Sequence, residues 1–306
     1  MEAVKAGLRT VVVEKGCLVN SLFHFPAHMV FFTTSELLEI GGVPFPSANS
    51  KPTRAEALEY YRKAAAFYGL DVRPYRRVER IEGADGNFTV HTSDRFGHPE
   101  LFRARRIALA TGYFDLPNRL EIPGGELSKV HHYYNDPHPY AGLDVVVVGG
   151  KNSAAIAALE LWRHGARVTL VHRGAGLLDH VKYWIKPDLE NRIQAGEIPA
   201  LFSSRLVEIG PHSVVVETPA GRQTLANDFV LAMTGYRPDF GFLEKVGIRF
   251  DGPDRRPAID PETLETNVPG IYLAGVLVGG TRTNDIFIEN GRFHGAKIVA
   301  GIQAKG

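Results

Sequence analysis

Apolar runs alternate with helix-like segments along the chain, most clearly in its middle third. Val145–Val148 is entirely apolar and predicts a buried strand. Gly149–Ala154, which follows, is a glycine-rich turn that opens a helix running to His164. Gly165 ends the helix, and Ala166–His172 predicts the next strand. This βαβ unit predicts an α/β protein with a doubly wound, Rossmann-like domain.

The start of the chain repeats the second half of this unit. Met1–Gly7 predicts the end of a helix, and Thr10–Glu14 predicts a buried strand. At a constant offset of 158 residues, Met1–Gly16 aligns with Leu159–Gly174 through shared Glu, Gly, Arg, Val and Gly residues. No counterpart of Asp144–Ala158 precedes the first copy, so we expect the first unit to lack its opening strand and glycine-rich loop.

A second internal pair supports a duplication. Ile107–Tyr113 and Val230–Tyr236 are both apolar strands that end in Thr-Gly. The segments after them, Phe114–Asn118 and Arg237–Phe240, contain proline and are candidate linkers. We therefore predict two Rossmann-like nucleotide-binding domains, one inserted into the other. The predicted outer domain is 1–118 with 237–306, and the inner domain is 119–236.

Local patterns predict further elements. Thr53–Tyr68 has near-helical apolar spacing, and Thr53 with Glu56 forms a predicted capping box at its start. The apolar residues at this spacing are Ala57, Leu58, Tyr61, Ala64, Ala65 and Tyr68. Alternating residues predict two hairpins, over 77–92 and 213–225.

Composition excludes several classes of protein. The 306 residues carry a formal charge of +1, which argues against nucleic-acid binding. The single cysteine, Cys17, excludes an internal disulfide, a CxxC pair and a cysteine-rich zinc site. No histidine pair combines H-x-x-x-H helical spacing with a carboxylate, so no metal site is expected. The sequence shows no membrane-spanning apolar run and no signal peptide, so we expect a cytoplasmic protein without membrane contact.

The glycine-rich turn is the strongest chemical signal. It predicts a site where backbone N–H groups meet a pyrophosphate at a helix N-terminus. Gly149 permits the tight turn, and Ala154 permits close packing of helix on strand, although Lys151 stands where the usual fingerprint has glycine. The predicted site comprises Gly149, Gly150, Lys151, Asn152, Ser153 and Ala154.

The residues at the ends of the two aligned strands indicate that the two halves bind different nucleotides. His172-Arg173 ends the second strand where NAD sites place a carboxylate, so this basic pair favours the 2′-phosphate of NADP(H). Glu14 occupies the equivalent position in the first copy and suits a ribose hydroxyl pair. The first half is therefore a predicted FAD site.

These motifs resemble the flavin-dependent pyridine nucleotide–disulfide reductases with a thioredoxin-reductase-like layout, in particular the YpdA group of bacillithiol disulfide reductases. The resemblance spans essentially the whole chain. The segments that carry it are 14–16, 19–21, 24–39, 51–54, 110–113, 149–154 and 286–295. One departure is Val276, which stands where the superfamily usually has an aspartate for the ribityl chain.

The resemblance implies the following site residues. For FAD they are Glu14, Lys15, Asn20, Ser21, Val78, Thr111, Gly112, Gly275, Glu289 and Asn290, the last two at a helix N-terminus that could polarise the flavin. For NADP they add His172, Arg173 and Gly235 to the glycine-rich turn.

The implied activity is NADPH-dependent, FAD-mediated reduction of a low-molecular-weight thiol disulfide, in a possible homo-oligomer. Cys17 follows the first Glu-Lys-Gly strand end and does not match the group's redox cysteine, so no nucleophile is assigned. Candidate side chains for the substrate cleft are His24, His28, His131, His132, Tyr133 and Tyr134. Two alternatives stay open: a flavin-containing monooxygenase, which 110–117 and 125–134 also resemble, and a catalytically impaired NADP(H)-binding remnant.

Overall fold

The computed structural model of the protein describes residues 1–178 and 181–306. It divides into two compact units. Unit 1 consists of Met1–Leu116 and Tyr236–Gly306, and unit 2 consists of Pro117–Gly235. These bounds differ only slightly from the predicted boundaries after residues 118 and 236.

Both units contain helices and strands. Unit 1 begins with α1 (Glu2–Lys5), β1 (Val11–Val13), α2 (Asn20–Phe23), α3 (Ser35–Leu38), α4 (Arg54–Phe67), β2 (Asp71–Arg73), β3 (Arg76–Ala84), β4 (Asn87–Asp94), β5 (Pro99–Ala104) and β6 (Ile107–Leu109). Unit 2 contains β7 (Val130–His131), β8 (Asp144–Val148), α5 (Asn152–Arg163), β9 (Arg167–Val171), α6 (Lys186–Gln194), β10 (Ala200–Leu201), β11 (Arg205–Ile209), β12 (Ser213–Thr218), β13 (Gly221–Ala226) and β14 (Phe229–Ala232). Unit 1 resumes with α7 (Phe240–Lys245), β15 (Phe250–Asp251), β16 (Arg256–Pro257), β17 (Ile271–Leu273), α8 (Ile288–Gly291) and α9 (His294–Ala304). Short 3-10 helices cover His138–Tyr140 and Gly275–Gly279.

Unit 2 is built on a parallel sheet in the order β10-β9-β8-β14-β7. The central strand β8 is apolar throughout Val145–Val148 because helices and loops cover both faces of such a sheet. Helix α5 packs on it through buried residues that include Ala154, Ala158 and Leu161. The predicted βαβ unit and α/β fold are therefore confirmed.

A second sheet in unit 2 is antiparallel, in the order β11-β12-β13. It contains the hairpin predicted over 213–225 and adds β11, which the alternation had not indicated. The hairpin predicted over 77–92 in unit 1 is likewise confirmed as β3–β4, and β5 extends it to three antiparallel strands.

Unit 1 has two further two-stranded parallel sheets, β1–β2 and β17–β6. Strand β1 was predicted to be buried, and that prediction is wrong: the side chains of Val11 and Val12 are 38% and 40% exposed. The side chains are exposed because β1 belongs to a small sheet: among the residues that the structure describes, it pairs only with β2.

Helix α4 forms as its pattern predicts. The hydroxyl of Thr53 accepts from the Glu56 N–H, and the Glu56 carboxylate accepts from the Thr53 N–H, which completes the capping box. The Thr53 N–H, the Thr53 hydroxyl and the Ser47 hydroxyl all donate to the Glu56 carboxylate, and these hydrogen bonds lower the pKa of Glu56 to about 2. The helix buries Tyr60, which the sequence had not marked, and Tyr60 stacks on Phe45 with ring centroids 4.2 Å apart.

None of the described helices is long and apolar enough to cross a membrane. Within residues 1–178 and 181–306, no group of three or more His, Cys, Asp or Glu side chains is arranged to hold a metal ion.

Candidate functional site

The predicted nucleotide residues of unit 2 gather at one edge of its parallel sheet. Strands β8, β9 and β14 run in register, with Val148 beside both Val171 and Ala232. The glycine-rich turn, His172 and Gly235 follow these strands, so they all lie at the carboxyl edge. Ligands of open α/β sheets bind in the crevice at this edge.

The glycine-rich turn is shaped by close backbone approach. Gly149 has φ +149°, and a Cβ at this position would lie 2.6 Å from the Met233 carbonyl oxygen and 2.9 Å from the Ala154 Cβ. Lys151 adopts an extended conformation (φ −111°, ψ −173°) as the N-cap of α5, and its side chain makes no capping hydrogen bond. The first N–H groups of α5 thus lack a side-chain cap, which suits them to an anionic ligand.

His172 lies directly under this turn. Its side chain is 8% exposed, and a Cβ on Gly150 would lie 2.4 Å from its Cε1 atom. A Cβ on Gly174 would lie 2.7 Å from its Nε2 atom, so the ring occupies space that two glycines leave open. Nε2 is buried without a hydrogen-bond partner among the described residues.

Burial changes the role that the sequence gave to His172. Desolvation, with the charge of Arg173 as a smaller cause, lowers the pKa of His172, so the imidazole is neutral at pH 7. Arg173 is exposed. The predicted basic pair is therefore one exposed cation beside a neutral, buried imidazole.

Two other contacts shape the edge in unit 2. The Asn152 Oδ1 atom accepts from the Lys182 N–H at 2.9 Å, which holds the chain after β9 against the start of α5. Gly235 follows Thr234, whose hydroxyl donates to the Asn118 carbonyl oxygen at 2.5 Å. The exposed Lys151 and Ser153 side chains complete the predicted set.

In unit 1, residues after β1 form a compact turn. The Glu14 Oε1 atom accepts from the Gly16 N–H at 2.7 Å, and Lys15 forms an ion pair with Asp115 at 2.6 Å. The Asn20 Oδ1 atom accepts from the Cys17 N–H at 3.3 Å. Glu14 and Asn20 therefore accept from neighbouring backbone N–H groups, and one oxygen atom of each side chain stabilises this turn.

Cys17 lies in the same turn and is partly buried. Burial raises the pKa of its thiol, with the nearby Glu14 charge acting in the same direction. A thiol with a raised pKa is a poor nucleophile at neutral pH, because the thiolate is the reactive form. This agrees with leaving Cys17 outside the catalytic residues.

The remaining predicted FAD residues lie on three parts of unit 1. Val78 is on β3 beside a register shift, and Ser21 is exposed on α2. Strands β6 and β17 pair in parallel with Leu109 beside Leu273, so Thr111-Gly112 and Gly275 follow neighbouring strands at one edge. These two segments are brought together by the fold.

Helix α8, which carries Glu289 and Asn290, is short. It does begin beside Glu289 and Asn290, but it spans only Ile288–Gly291. The Asn290 side chain accepts from the Phe287 N–H and donates to the Asp285 carbonyl oxygen, each at 2.8 Å. Asn290 therefore stabilises its own turn, and a four-residue helix supplies little dipole for a flavin.

The sequence reasoning missed His294 and Arg292. The His294 Nδ1 atom accepts from the Gly275 N–H at 3.0 Å, and Arg292 donates to the carbonyl oxygens of Glu36 and Glu39. Both lie within 286–295, the segment that carried part of the family resemblance. The family-specific sequence of this segment was the signal that could have identified them. The contacts of Arg292 could not be read from the sequence, because they join residues more than 250 positions apart.

The six cleft candidates divide between the units. His24 and His28 are exposed in unit 1. In unit 2, the His131 Nδ1 atom lies 2.8 Å from the Tyr140 hydroxyl, and the buried Tyr134 hydroxyl donates to Glu160 at 2.7 Å. His132 is half-buried and Tyr133 is exposed. His131 and Tyr134 thus have structural partners within their own unit.

Known proteins match the chain over most of its length. The model of the pyridine nucleotide-disulphide oxidoreductase family matches residues 1–275. Bacilliredoxin reductase Bdr of Bacillus subtilis (strain 168) is 44% identical over 298 residues, covering 97% of this chain and 90% of that protein.

Two solved structures are similar over the whole fold. The bacillithiol disulfide reductase Bdr (YpdA) from Bacillus cereus has a TM-score of 0.97 at 43% identity, covering 100% of this chain and 95% of that one. The enzyme of the same name from Staphylococcus aureus has a TM-score of 0.95 at 39% identity, covering 99% and 93%. The resemblance inferred from the sequence is confirmed. The chain belongs to the pyridine nucleotide-disulphide oxidoreductase family, and this membership implies FAD and NAD(P)H as its cofactors.

Proposed function

We propose that the protein is an NADPH-dependent flavin reductase of a low-molecular-weight thiol disulfide of the bacillithiol type. The observation that carries the proposal is the carboxyl edge of unit 2, where a close-packed glycine-rich turn lies over a buried, unpartnered imidazole nitrogen. The substrate class rests on the relatives, whose names specify bacillithiol disulfide and bacilliredoxin.

The residues of unit 2 fit a nicotinamide dinucleotide. The uncapped N–H groups at the start of α5 would bind the pyrophosphate, and Gly149 would let the backbone approach it. The exposed guanidinium of Arg173 would bind a 2′-phosphate, because it offers several donors and a permanent charge. The Nε2 atom of His172, without a partner in the described structure, would bond to the same end of the nucleotide. NADP(H) is therefore the proposed form.

The residues of unit 1 fit the adenosine end of FAD. Glu14 directly follows β1, where a carboxylate suits the ribose hydroxyl pair, and Val78 would offer its backbone to the adenine. Thr111-Gly112 and Gly275 would line the flavin chain at the edge of β6 and β17. FAD, when bound, supplies two-electron transfer between the nicotinamide and the disulfide.

The protein residues around the flavin would position it. The Gly275 N–H is committed to His294, so Gly275 would contribute close backbone approach and not a donor. The Lys15–Asp115 ion pair would hold the chain after β1 beside the chain after β6. Cys17, with its raised thiol pKa, would stay protonated and outside the reaction.

The test uses the purified full chain, supplied with FAD. NADPH oxidation that requires added bacillithiol disulfide, with visible flavin absorbance, is the expected result. NADPH oxidation that consumes oxygen with an organic substrate and ignores the disulfide would favour the monooxygenase. Colourless protein that binds NADPH and oxidises none of it would favour the binding remnant.

A further inference from the structure

Two adjacent aromatic side chains stand exposed on unit 2. Tyr183 is 81% exposed and Trp184 is 41% exposed. Their rings lie edge to face with centroids 4.8 Å apart. The Lys182 ammonium lies 5.8 Å from the centroid of the Trp184 ring. Two adjacent exposed rings offer planar apolar surface with polar atoms at its edge, which suits an aromatic ligand.

The backbone that carries this pair is held firmly. Val181 and Ile185, on either side, are 3% and 8% exposed and anchor the segment in unit 2. The Ile185 N–H donates to the Lys182 carbonyl oxygen at 2.8 Å, which closes the turn between them. Tyr183 and Trp184 therefore project from an anchored turn, and little ordering would be needed for them to bind a ligand.

The same turn is tied to the proposed pyrophosphate site. The Lys182 N–H donates to Asn152, the first residue of α5. Upstream, the Leu178 N–H donates to the Gly150 carbonyl oxygen at 3.3 Å. The exposed aromatic pair is thus fixed beside the glycine-rich turn and follows the strand end that carries Arg173.

We propose that Tyr183 and Trp184 form the stacking surface for the adenine ring of the nicotinamide nucleotide. The inference rests on the proposed function. A dinucleotide with its pyrophosphate at α5 and its 2′-phosphate at Arg173 must place its adenine next to that ribose, on the chain that follows β9. Tyr183 and Trp184 offer faces for a purine, and Lys182 adds positive charge beside a phosphate-bearing ligand.

The chain offers a direct optical test, because it contains only two tryptophans, Trp162 and Trp184. In a Trp162→Phe variant, Trp184 is the sole tryptophan reporter. Titration with 2′,5′-ADP, which carries the adenine and both adenosine phosphates, should quench its fluorescence. Nicotinamide mononucleotide, which lacks adenine, should leave the fluorescence unchanged.

Substitutions then measure the contribution of stacking. Tyr183→Ala should weaken 2′,5′-ADP binding, measured by calorimetry, by about 5- to 100-fold, the range for loss of one aromatic ring from under a base. Tyr183→Phe should restore the affinity, since the ring alone is required. Phe96→Ala, which removes another exposed ring far along the sequence in unit 1, is the matched control and should bind like the wild type.

The outcomes separate this inference from the proposed function. If the wild type binds 2′,5′-ADP but Tyr183→Ala binds it equally well and Trp184 reports nothing, the stacking surface is refuted while NADP binding stands. If Tyr183→Ala changes only the oligomeric mass, the pair is an interface between copies and the inference is again wrong. If the wild type does not bind 2′,5′-ADP, the NADP assignment and the inference both fall.

Discussion

The backbone N–H of Gly275 donates to the Nδ1 atom of His294 at 3.0 Å. Gly275 has φ +68° and lies two residues after the end of β17, and His294 is the first residue of α9. Since Nδ1 is the acceptor, the proton of the neutral ring is on Nε2. The contact links the end of a core strand to the start of the last helix of unit 1.

We expect His294→Leu to destabilise the protein by about 1–3 kcal/mol, because it leaves the Gly275 N–H without its acceptor. His294→Asn, whose amide oxygen can also accept, should recover part of the loss. Urea unfolding measures the difference. His212→Leu, at an exposed histidine, is the control and should change the unfolding free energy little. An equal loss in both leucine variants would contradict the proposed role of this hydrogen bond.

Acidification should destabilise the protein through one buried and two half-buried histidines. Burial is the main cause that lowers the pKa of His132, His172 and His294. In the unfolded chain each titrates at about 6.5, so below that pH the unfolded state binds more protons. This contribution to stability is therefore complete above about pH 6.5 and is lost as the pH falls toward the lower folded-state pKa values.

Unfolding free energies measured between about pH 8 and pH 5 check this prediction. His172→Gln should reduce the slope, since one of the three titrating groups is removed. The depressed pKa of Glu56, about 2, affects stability only at more acidic pH, below the ordinary range of a glutamate. A free energy that stays flat or rises on acidification to pH 5 would be inconsistent with histidines that are kept neutral by the fold.

Gly149→Ala should impair both folding and nucleotide binding. Its φ of +149° is unfavourable for alanine, and the new Cβ would lie 2.6 Å from the Met233 carbonyl oxygen. We expect a loss of about 1–3 kcal/mol in stability and weaker NADPH binding by calorimetry. Gly176→Ala is the matched control, because a Cβ there meets nothing within 4 Å. Unchanged NADPH affinity in Gly149→Ala would remove this turn from the nucleotide site.

Arg173→Gln should change the choice of nucleotide. Loss of a charged hydrogen bond to the 2′-phosphate should lower kcat/KM for NADPH by about 10- to 100-fold and leave NADH almost unaffected. Steady-state rates with both nucleotides measure this ratio. Arg222→Gln, at an exposed arginine on β13, should leave both rates as they are. A parallel fall with NADPH and NADH would show that Arg173 does not bind the 2′-phosphate.

Sequence patterns were sufficient wherever the controlling interactions are local. The capping box of α4 depends on Thr53 and Glu56, three residues apart, and both hydrogen bonds form. The βαβ unit follows from an apolar run, a glycine-rich turn and an amphipathic helix in direct succession. The family likewise followed from short segments, because their residues could be compared without knowledge of their contacts.

Tertiary structure decided the properties that depend on distant neighbours. Burial of Val11 and Val12 depends on which strands lie beside β1. The apolar residue types of β1 do not show whether such strands are present. His172 looked like half of a basic pair, but the ring lies against Gly150, and desolvation makes it neutral. The contact of His294 with Gly275 arises because a loop returns α9 to the end of β17. Sequence patterns alone were enough to identify the βαβ unit, the capped helix α4, the family and the residue types at the strand ends. Only the fold decided which side chains are buried, because burial and charge state depend on the atoms that long-range packing brings together.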